Sequence, residues 1–515
     1  MDQGELYGQW GADGQVPVEG RLLIDEADGC TLQLRSRLGP APRITGELAN
    51  GQAATLLGTY ETSRSFGEHF VQHLLIDTAV IGMELEGHDD ACLTAATVRL
   101  AGLEQAIGVS GLSLTTSDSA SKSSKFAQVE WEGSQPIEVL RDEGTLVLDS
   151  CVRFDHESWF RFALEHRAQA KLTAARPLSL GDVRHVFDRL ATFVAFATDA
   201  QVGRQRLDIR GEDGAAEVLT RERPRYGPTP DAGEPWLNLA HLSDAAAALA
   251  GFYRFADEQP AAFVILFEYL IFASALNPSD KLLYLARFLE VYHRTRFPGK
   301  RDPEEVHAER VALVKEATKG NHKEWGAHIL RRSNDVFFKV RVRKLVTGPA
   351  AAAQPVLGGT PQEFAKVVGD SRNYWTHYSE ELEAKALRDV ELDEFDDRLL
   401  VVVRACVLDH MGLSSAGRGR AWSVIGDGHG ARPSRCGLDR GLGGSMRRGS
   451  STSTSTSWTC RRYLTRSRNT SVLARRAERR SGVAATRQRS SEDSYSVGMA
   501  AASSVGAIVS LDRVS

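Results

Sequence analysis

The chain divides by the period of its apolar positions. From the N-terminus to about residue 175, short runs rich in Val, Ile, Leu and Thr alternate with Gly, Asp and Asn. Val18–Asp25, Thr31–Arg35, Arg43–Leu48, Ala54–Tyr60, Phe70–Ile76, Ala91–Leu100 and Phe126–Trp131 read as strands, and Ser117–Ser124 as a loop. Asp13-Gly14, Asp28-Gly29 and Asn50-Gly51 punctuate them, as tight hairpin turns with positive φ require. This spacing predicts an antiparallel sheet, sandwich or barrel.

From Ser179 the period becomes helical. Val183, Val186, Phe187, Leu190, Phe193 and Val194 fall on one side of Leu180–Phe196. Arg210–Pro235 reads as a loop or insertion with one strand in it. Helices then follow one another: Leu242–Ala256, Pro260–Leu276, Asp280–Arg296, Pro303–Ala317, Lys323–Arg331 and Asp335–Val346. The longest apolar run, Ala261–Leu276, contains Glu268 and falls short of the ~20 residues that cross a bilayer, so a buried core helix is expected. Thr360-Pro361-Gln362-Glu363 joins an N-cap Thr, a proline at the first helical position and a Glu in the third. The helix it opens leads into Phe364, Val367 and Val368, and Asp393–Met411 supplies a last, strongly apolar helix. Beyond Leu413 no apolar period is sustained, and Ser451–Ser457 merely alternates Ser and Thr. Such a segment buries too little apolar area to offset its chain entropy. The fold class expected is α+β: a β-rich domain over 1–235, a helical bundle over 236–413, and a disordered tail over 414–515.

Composition adds charge to this division. The apolar fraction of 42% and charged fraction of 25% are ordinary for a globular protein. The net charge of −4 hides an asymmetry: after Met411 there are about 18 Arg and no Lys against six acids. The tail therefore carries about +12 and the rest about −16. A tail with Arg but no Lys reads as an out-of-frame extension, with an Arg/Ser-rich nucleic-acid segment as the rival. Six cysteines without a CxxC pair argue against a zinc ribbon or a disulfide scaffold and fit a reducing cytosol. Met1–Glu5 has neither a basic nor an apolar leader segment, so a cytoplasmic location is expected.

Candidate chemistry concentrates in Ser371-Arg372-Asn373-Tyr374-Trp375-Thr376-His377-Tyr378. Arg is a permanent cation that grips phosphate oxygens, and His moves protons near neutral pH. The spacing alone is cheap: with 51 Arg and 14 His, any fixed separation arises about once or twice by chance. Arg64/His69 and Arg161/His166 share it and Arg287/His293, Arg301/His307 and Arg404/His410 are one residue wider, but none has an Arg-Asn dipeptide. On an ideal helix Arg372 and His377 lie about 140° apart, whereas Asn373 and His377 share a face. Either Arg372 bends round or a second copy completes the site. A fresh helix start capped by Asp370 or Ser371 after Gly369 would put Arg372 in a first turn, where amides favour phosphate. Tyr374, Trp375 and Tyr378 offer faces for base stacking. Arg331, Arg332, Lys339, Arg341, Arg343 and Lys344 are a candidate basic patch.

Two helical segments carry a resemblance. Lys281–Phe297 resembles an early helix of the ApeA-type HEPN domain. Val367–Tyr378, with Leu382–Leu387 after it, resembles that family's ribonuclease motif: Arg, a polar residue, three or more others, then His. The N-terminal half, through Gly8-Gln-Trp10, Val18-Glu-Gly-Arg-Leu22 and Ile44-Thr-Gly-Glu-Leu48, is similar to the β-rich domain that precedes it. The resemblance spans residues 5–413 and leaves out the tail. It implies an all-α HEPN bundle that dimerises, acting as a metal-independent RNA endonuclease of prokaryotic antiphage defence. Its partners would be RNA, a second copy and a phage-derived trigger sensed by the N-terminal domain, with no membrane, cofactor or metal. His377 would be the acid/base residue, Arg372 would hold phosphate and Asn373 would assist, with Glu290 near the site. Attack by the 2′-OH would leave a 2′,3′-cyclic phosphate and a 5′-OH. The alternative is a non-catalytic HEPN dimerisation or nucleotide-binding module beside a β-rich sensor.

Overall fold

The computed structural model describes residues 4–413, apart from 26–28, 40, 67–69, 109–111, 118–125, 132–134, 159–160, 201, 221–234 and all of 319–332 except Gly320, His322, Gly326 and Leu330. Most of the loop expected at Ser117–Ser124, most of the helix expected at Lys323–Arg331, and the tail 414–515 lie outside the described residues.

The strands are β1 (Gly4–Gly11), β2 (Val18–Asp25), β3 (Gly29–Leu34), β4 (Arg43–Leu48), β5 (Ala53–Phe66), β6 (Phe70–Ile81), β7 (Leu93–Leu100), β8 (Leu112–Ser117), β9 (Phe126–Trp131), β10 (Ile137–Leu140), β11 (Gly144–Ser158), β12 (Arg161–Leu178), β13 (Arg204–Gly211) and β14 (Gly214–Thr220). β8 and β9 form a separate ribbon; the others make one antiparallel sheet ordered β10-β11-β12-β7-β13-β14-β6-β3-β2-β1-β4-β5. β5 also pairs with β6, so the last six strands close into a barrel. β6 gives one edge to β5 and divides the other. Gln72–Ile76 pairs with β3, and Thr78–Ile81 pairs with β14. The single strand expected within Arg210–Pro235 is β14, which pairs with the preceding β13 in a hairpin at the middle of the sheet. Its four-residue register and its two-residue turn leave little periodicity to read from sequence.

Alternation fills the barrel. Leu22, Ile24, Leu32, Leu34, Ile44, Leu56, Leu74 and Ile76 point inward around Trp10, which is fully buried. Trp10 pairs with Gly46 across the β1–β4 ladder, and its ring lies where a Gly46 side chain would be. A Cβ on Gly46 would sit 2.4 to 2.9 Å from three indole ring atoms, and one on Gly20 also meets the ring. The Gly-x-Trp, Glu-Gly-Arg and Thr-Gly-Glu runs are therefore one packing unit.

The open half of the sheet buries its face under helices. α1 (Leu103–Ile107) and α2 (Leu180–Thr198) lie against β12, and α2 also covers β7. A Ser179/Asp182 capping box starts α2. Beyond it come α3 (Ala245–Glu258), α4 (Pro260–Phe272), α5 (Pro278–Arg296), α6 (Glu304–Ala317), α7 (Phe338–Thr347), α8 (Pro361–His377), α9 (Glu380–Glu383) and α10 (Asp389–His410). One hydrophobic core runs from β7, β11 and β12 through Phe187 and Phe193 of α2 to Phe252, Phe288, Tyr292 and Val402. Arg404 of α10 crosses the same join, stacked over Trp236 and paired with Asp199 at 2.6 Å. α4 is buried on one face only: Ala262, Ile265, Leu266, Tyr269 and Leu270 are inside, whereas Val264 and Phe272 are exposed. Among the described residues no helix is long and apolar enough to cross a membrane.

Asp396 is the exception inside α10. It is 3% exposed and neither carboxylate oxygen has a hydrogen-bond partner among the described residues. Burial pushes its carboxyl up to about 8; Lys281 opposes this, and Asp393 and Asp397 add to it. Between pH ~4 and ~8 the folded chain holds a proton that the unfolded chain has released, so this group's contribution to stability falls as pH rises, by at most ~1.4 kcal/mol per pH unit. Asp396→Asn is expected to flatten that slope, with the variant gaining on the wild type as pH goes from 5 to 8. Urea midpoints at both pH values measure it, and parallel profiles would refute the assignment. For the barrel, Gly46→Ala is expected to cost ~1–3 kcal/mol through overpacking against Trp10. The Gly46→Ala/Trp10→Phe double variant should recover part of that loss in the same titration.

Candidate active site

α8 begins as its first four residues dictate. Thr360 Oγ1 accepts from the Glu363 amide at 3.2 Å and Glu363 Oε2 accepts from the Thr360 amide at 2.8 Å, with Pro361 at the first helical position. The helix then runs unbroken to His377. That corrects the expected restart after Gly369: Arg372 sits in mid-helix, where the backbone amides are already bonded. Gly369 is a contact position instead, since a Cβ there would lie 2.5 Å from the Lys339 stem. Asp370 is engaged by Lys339 Nζ at 2.5 Å, and the buried Ser371 Oγ accepts from the Leu387 amide at 3.1 Å.

α5 and α7 fix the Arg372 guanidinium. Its Nη2 lies 3.4 Å from Glu290 Oε2, its Nη1 donates to Asn373 Oδ1 at 3.1 Å, and its central carbon lies 5.5 Å from the centre of the Phe338 ring. Glu290 also accepts from Arg294 one turn on, at 2.8 Å. Between them His293 is 1% exposed, and its Nδ1 meets Arg341 Nη1 at 3.3 Å. Burial first, then Arg341 and Lys344, push His293 down to about 4, so it is neutral and accepts through Nδ1. Glu290, His293 and Arg294 are an i, i+3, i+4 set, so one face of α5 reaches both α7 and α8.

His377 ends α8. It is exposed and its ring makes no hydrogen bond to a described residue, and Tyr378 beyond it caps the helix in the left-handed region (φ 50°). Residues 379–388 fold back as a strap. Trp375 Nε1 donates to the Leu387 carbonyl, and Arg388 donates to the Tyr374 hydroxyl while lying 5.2 Å from its ring. Trp375 and Tyr374 therefore hold the strap, and of the three aromatics expected to stack bases Tyr378 alone is exposed.

Arg372 and Asn373 are thus brought together with Glu290, and His377 is placed about one and a half turns beyond Arg372, on a different side of the helix from it. Several members of the decoy pairs have structural work. Arg404 and His410 are buried against Asp199 and Glu258, and His293 serves Arg341. The expected basic patch is dispersed: Arg341 is buried, Lys339 is paired with Asp370, Arg343 donates to Gln362, and Arg331 and Arg332 lie outside the described residues. Phe338, the bond from Leu387 to Ser371 and the strap were not visible from sequence; the Glu290/His293/Arg294 spacing was a usable signal. A groove of about 820 Å³ crosses the outside of the barrel at Tyr7, Arg21 and Gln33, where Glu5 and Glu19 are paired with Arg21 and Arg35. Among the described residues no group of three or more His, Cys, Asp or Glu is placed to hold a metal.

A barrel-ended antiparallel sheet followed by a helical bundle with an Arg-Asn…His helix defines an HEPN protein with a β-rich N-terminal domain. The family model described as ApeA N-terminal domain 1 matches residues 5–244, and that described as Apea-like HEPN matches residues 283–416. The chain belongs to the ApeA-type HEPN family, which places it among prokaryotic defence proteins. No curated protein and no solved structure matches it.

Ser371→Ala is expected to leave the Leu387 amide without its acceptor, at ~1–3 kcal/mol. Hydrogen exchange at Leu387 and through 379–388 should accelerate while α5 stays protected. Unchanged exchange there would show that the strap is held by other contacts.

Proposed function

We propose that the chain is a metal-independent RNA endonuclease, with residues 236–413 cutting and residues 1–235 sensing an infection-derived trigger. The observation that supports this most is the fixed guanidinium of Arg372. Glu290, Asn373 and Phe338 hold it on the same helix as an exposed, unengaged His377, within the segment matched by the HEPN model. Preorganised charge is what a phosphoryl transition state needs.

In this reading His377 takes the proton of the ribose 2′-OH as that oxygen attacks the adjacent phosphorus. The bond from 2′-oxygen to phosphorus forms and the bond to the 5′-oxygen breaks. The departing 5′-oxygen takes its proton from an imidazolium, leaving a 2′,3′-cyclic phosphate and a 5′-OH. Arg372 carries the charge that develops on the non-bridging oxygens, and the Asn373 amide nitrogen, left free when Oδ1 accepts from Arg372, adds a donor. Because Arg372 and His377 diverge by about 140° on an unbroken helix, the Arg372 and the His377 that act on one phosphate come from two copies of α8. DNA lacks the attacking hydroxyl and is not a substrate.

The test incubates the full chain with structured RNA in EDTA. Cleavage with cyclic-phosphate ends is expected. His377→Ala and Arg372→Ala, shown by circular dichroism to be folded, should each lower the rate by at least ~100-fold. No cleavage by folded wild-type chain, or equal cleavage by His377→Ala, would leave the non-catalytic module as the reading.

A further inference from the structure

We propose that Phe297 and Phe337 form a stacking platform for unpaired RNA bases, continuous with the Arg372 site. This rests on the ribonuclease reading and names the form of its substrate: a single strand beside the scissile phosphate.

Two large apolar rings stand open here in a charged neighbourhood. Phe297 is 41% exposed and Phe337 60% exposed. Each ring is backed on one side. His293 lies 5.3 Å from Phe297, tilted by 49°, and the Arg301 guanidinium lies 5.6 Å from Phe337. Backing of this kind fixes a ring's orientation and leaves its other face to solvent. A rigid aromatic face is what a base needs, and any of the four bases can use it.

The frame beneath the rings is rigid. Arg341, buried, donates from Nε to the Val336 carbonyl at 2.9 Å and meets His293 on α5. Asn334 clamps the facing loop: its Oδ1 accepts from the Asp302 amide at 2.8 Å, its Nδ2 donates to the Asp302 carbonyl at 3.1 Å, and its carbonyl accepts from the Arg301 amide at 2.8 Å. Phe337 caps α7, whose next residue, Phe338, is the ring under Arg372.

Distance and charge fit a strand. Phe297 follows Glu290 by seven residues along α5, a rise of about 10 Å, or about three stacked nucleotides at ~3.4 Å each. Arg294, Lys300, Arg301, Arg341 and Arg372 lie along this path, against Glu290, Asp302 and Asp335. The excess is positive on a body of residues 1–411 whose charge is about −16. An apolar protein surface would cover the rings but leave the excess positive charge without a counter-charge; a single strand uses rings and cations together.

The test measures binding of labelled RNA oligonucleotides, two to ten nucleotides long and without secondary structure, to the full chain carrying His377→Ala. Affinity should step up once the RNA exceeds about four nucleotides. Adding Phe297→Ala and Phe337→Ala should weaken binding by ~10-fold or more. Phe337→Trp in place of Phe337→Ala should restore it, and its added emission should be quenched by RNA. Two results would overturn the platform: ring-independent RNA binding, including no binding at all by the His377→Ala chain, or altered sedimentation with RNA affinity unchanged, which marks a protein interface. Cleavage in EDTA judges the nuclease reading separately. Ring-dependent binding without cleavage keeps the platform and removes the nuclease; cleavage with ring-independent binding does the reverse.

Discussion

α5 must meet two demands at once, and the helical half depends on both. Its inner face buries Leu282, Leu285, Phe288, Leu289 and Tyr292, with Tyr292 donating to the Cys406 carbonyl of α10. Its other face offers Glu290, His293 and Arg294 to α7 and α8. Rotation of α5 about its axis would expose part of the first set and misplace the second. Because close-packed interiors do not deform smoothly, the core fixes the register of the site. The Arg372–Glu290 contact, partly exposed at both ends, is worth little as a stabilising pair. Its value is positional.

How much of this was legible in the sequence depends on the range of the interaction. Local signals were reliable: the Thr360/Glu363 box starts α8 where its residues say, and the alternation of β2, β3 and β4 marks those strands to within a residue or two. The family was legible in the Arg-Asn…His helix and the glycine–tryptophan runs, and the family models agree. Non-local facts were not legible. Gly369 looked like a helix break because its partner, the Lys339 stem, lies thirty residues away in the chain. The place of the β13–β14 hairpin at the middle of the sheet was not legible because two short strands gain their partners, β7 and β6, from distant sequence. The apolar run of α4 predicted burial all round, but packing covers one face among the described residues.

The electrostatics divide along the same lines. The body is acidic, yet guanidinium groups gather where α5, α7 and α8 meet, and most are held by a carboxylate or a carbonyl. Such cations are oriented before any ligand arrives, which lowers the entropic cost of binding. An acidic surround also disfavours indiscriminate adhesion to polyanions, so engagement depends on reaching this one face.

β6 has a mechanical consequence. One continuous strand closes the barrel with its first half and carries the open sheet with its second. A fully hydrogen-bonded strand resists bending and slipping along its length. A tilt of the barrel must therefore turn β14, β13 and β7 with it, and α2 rides on β7. The barrel is in effect a handle on a stiff shaft whose far end lies against the helices.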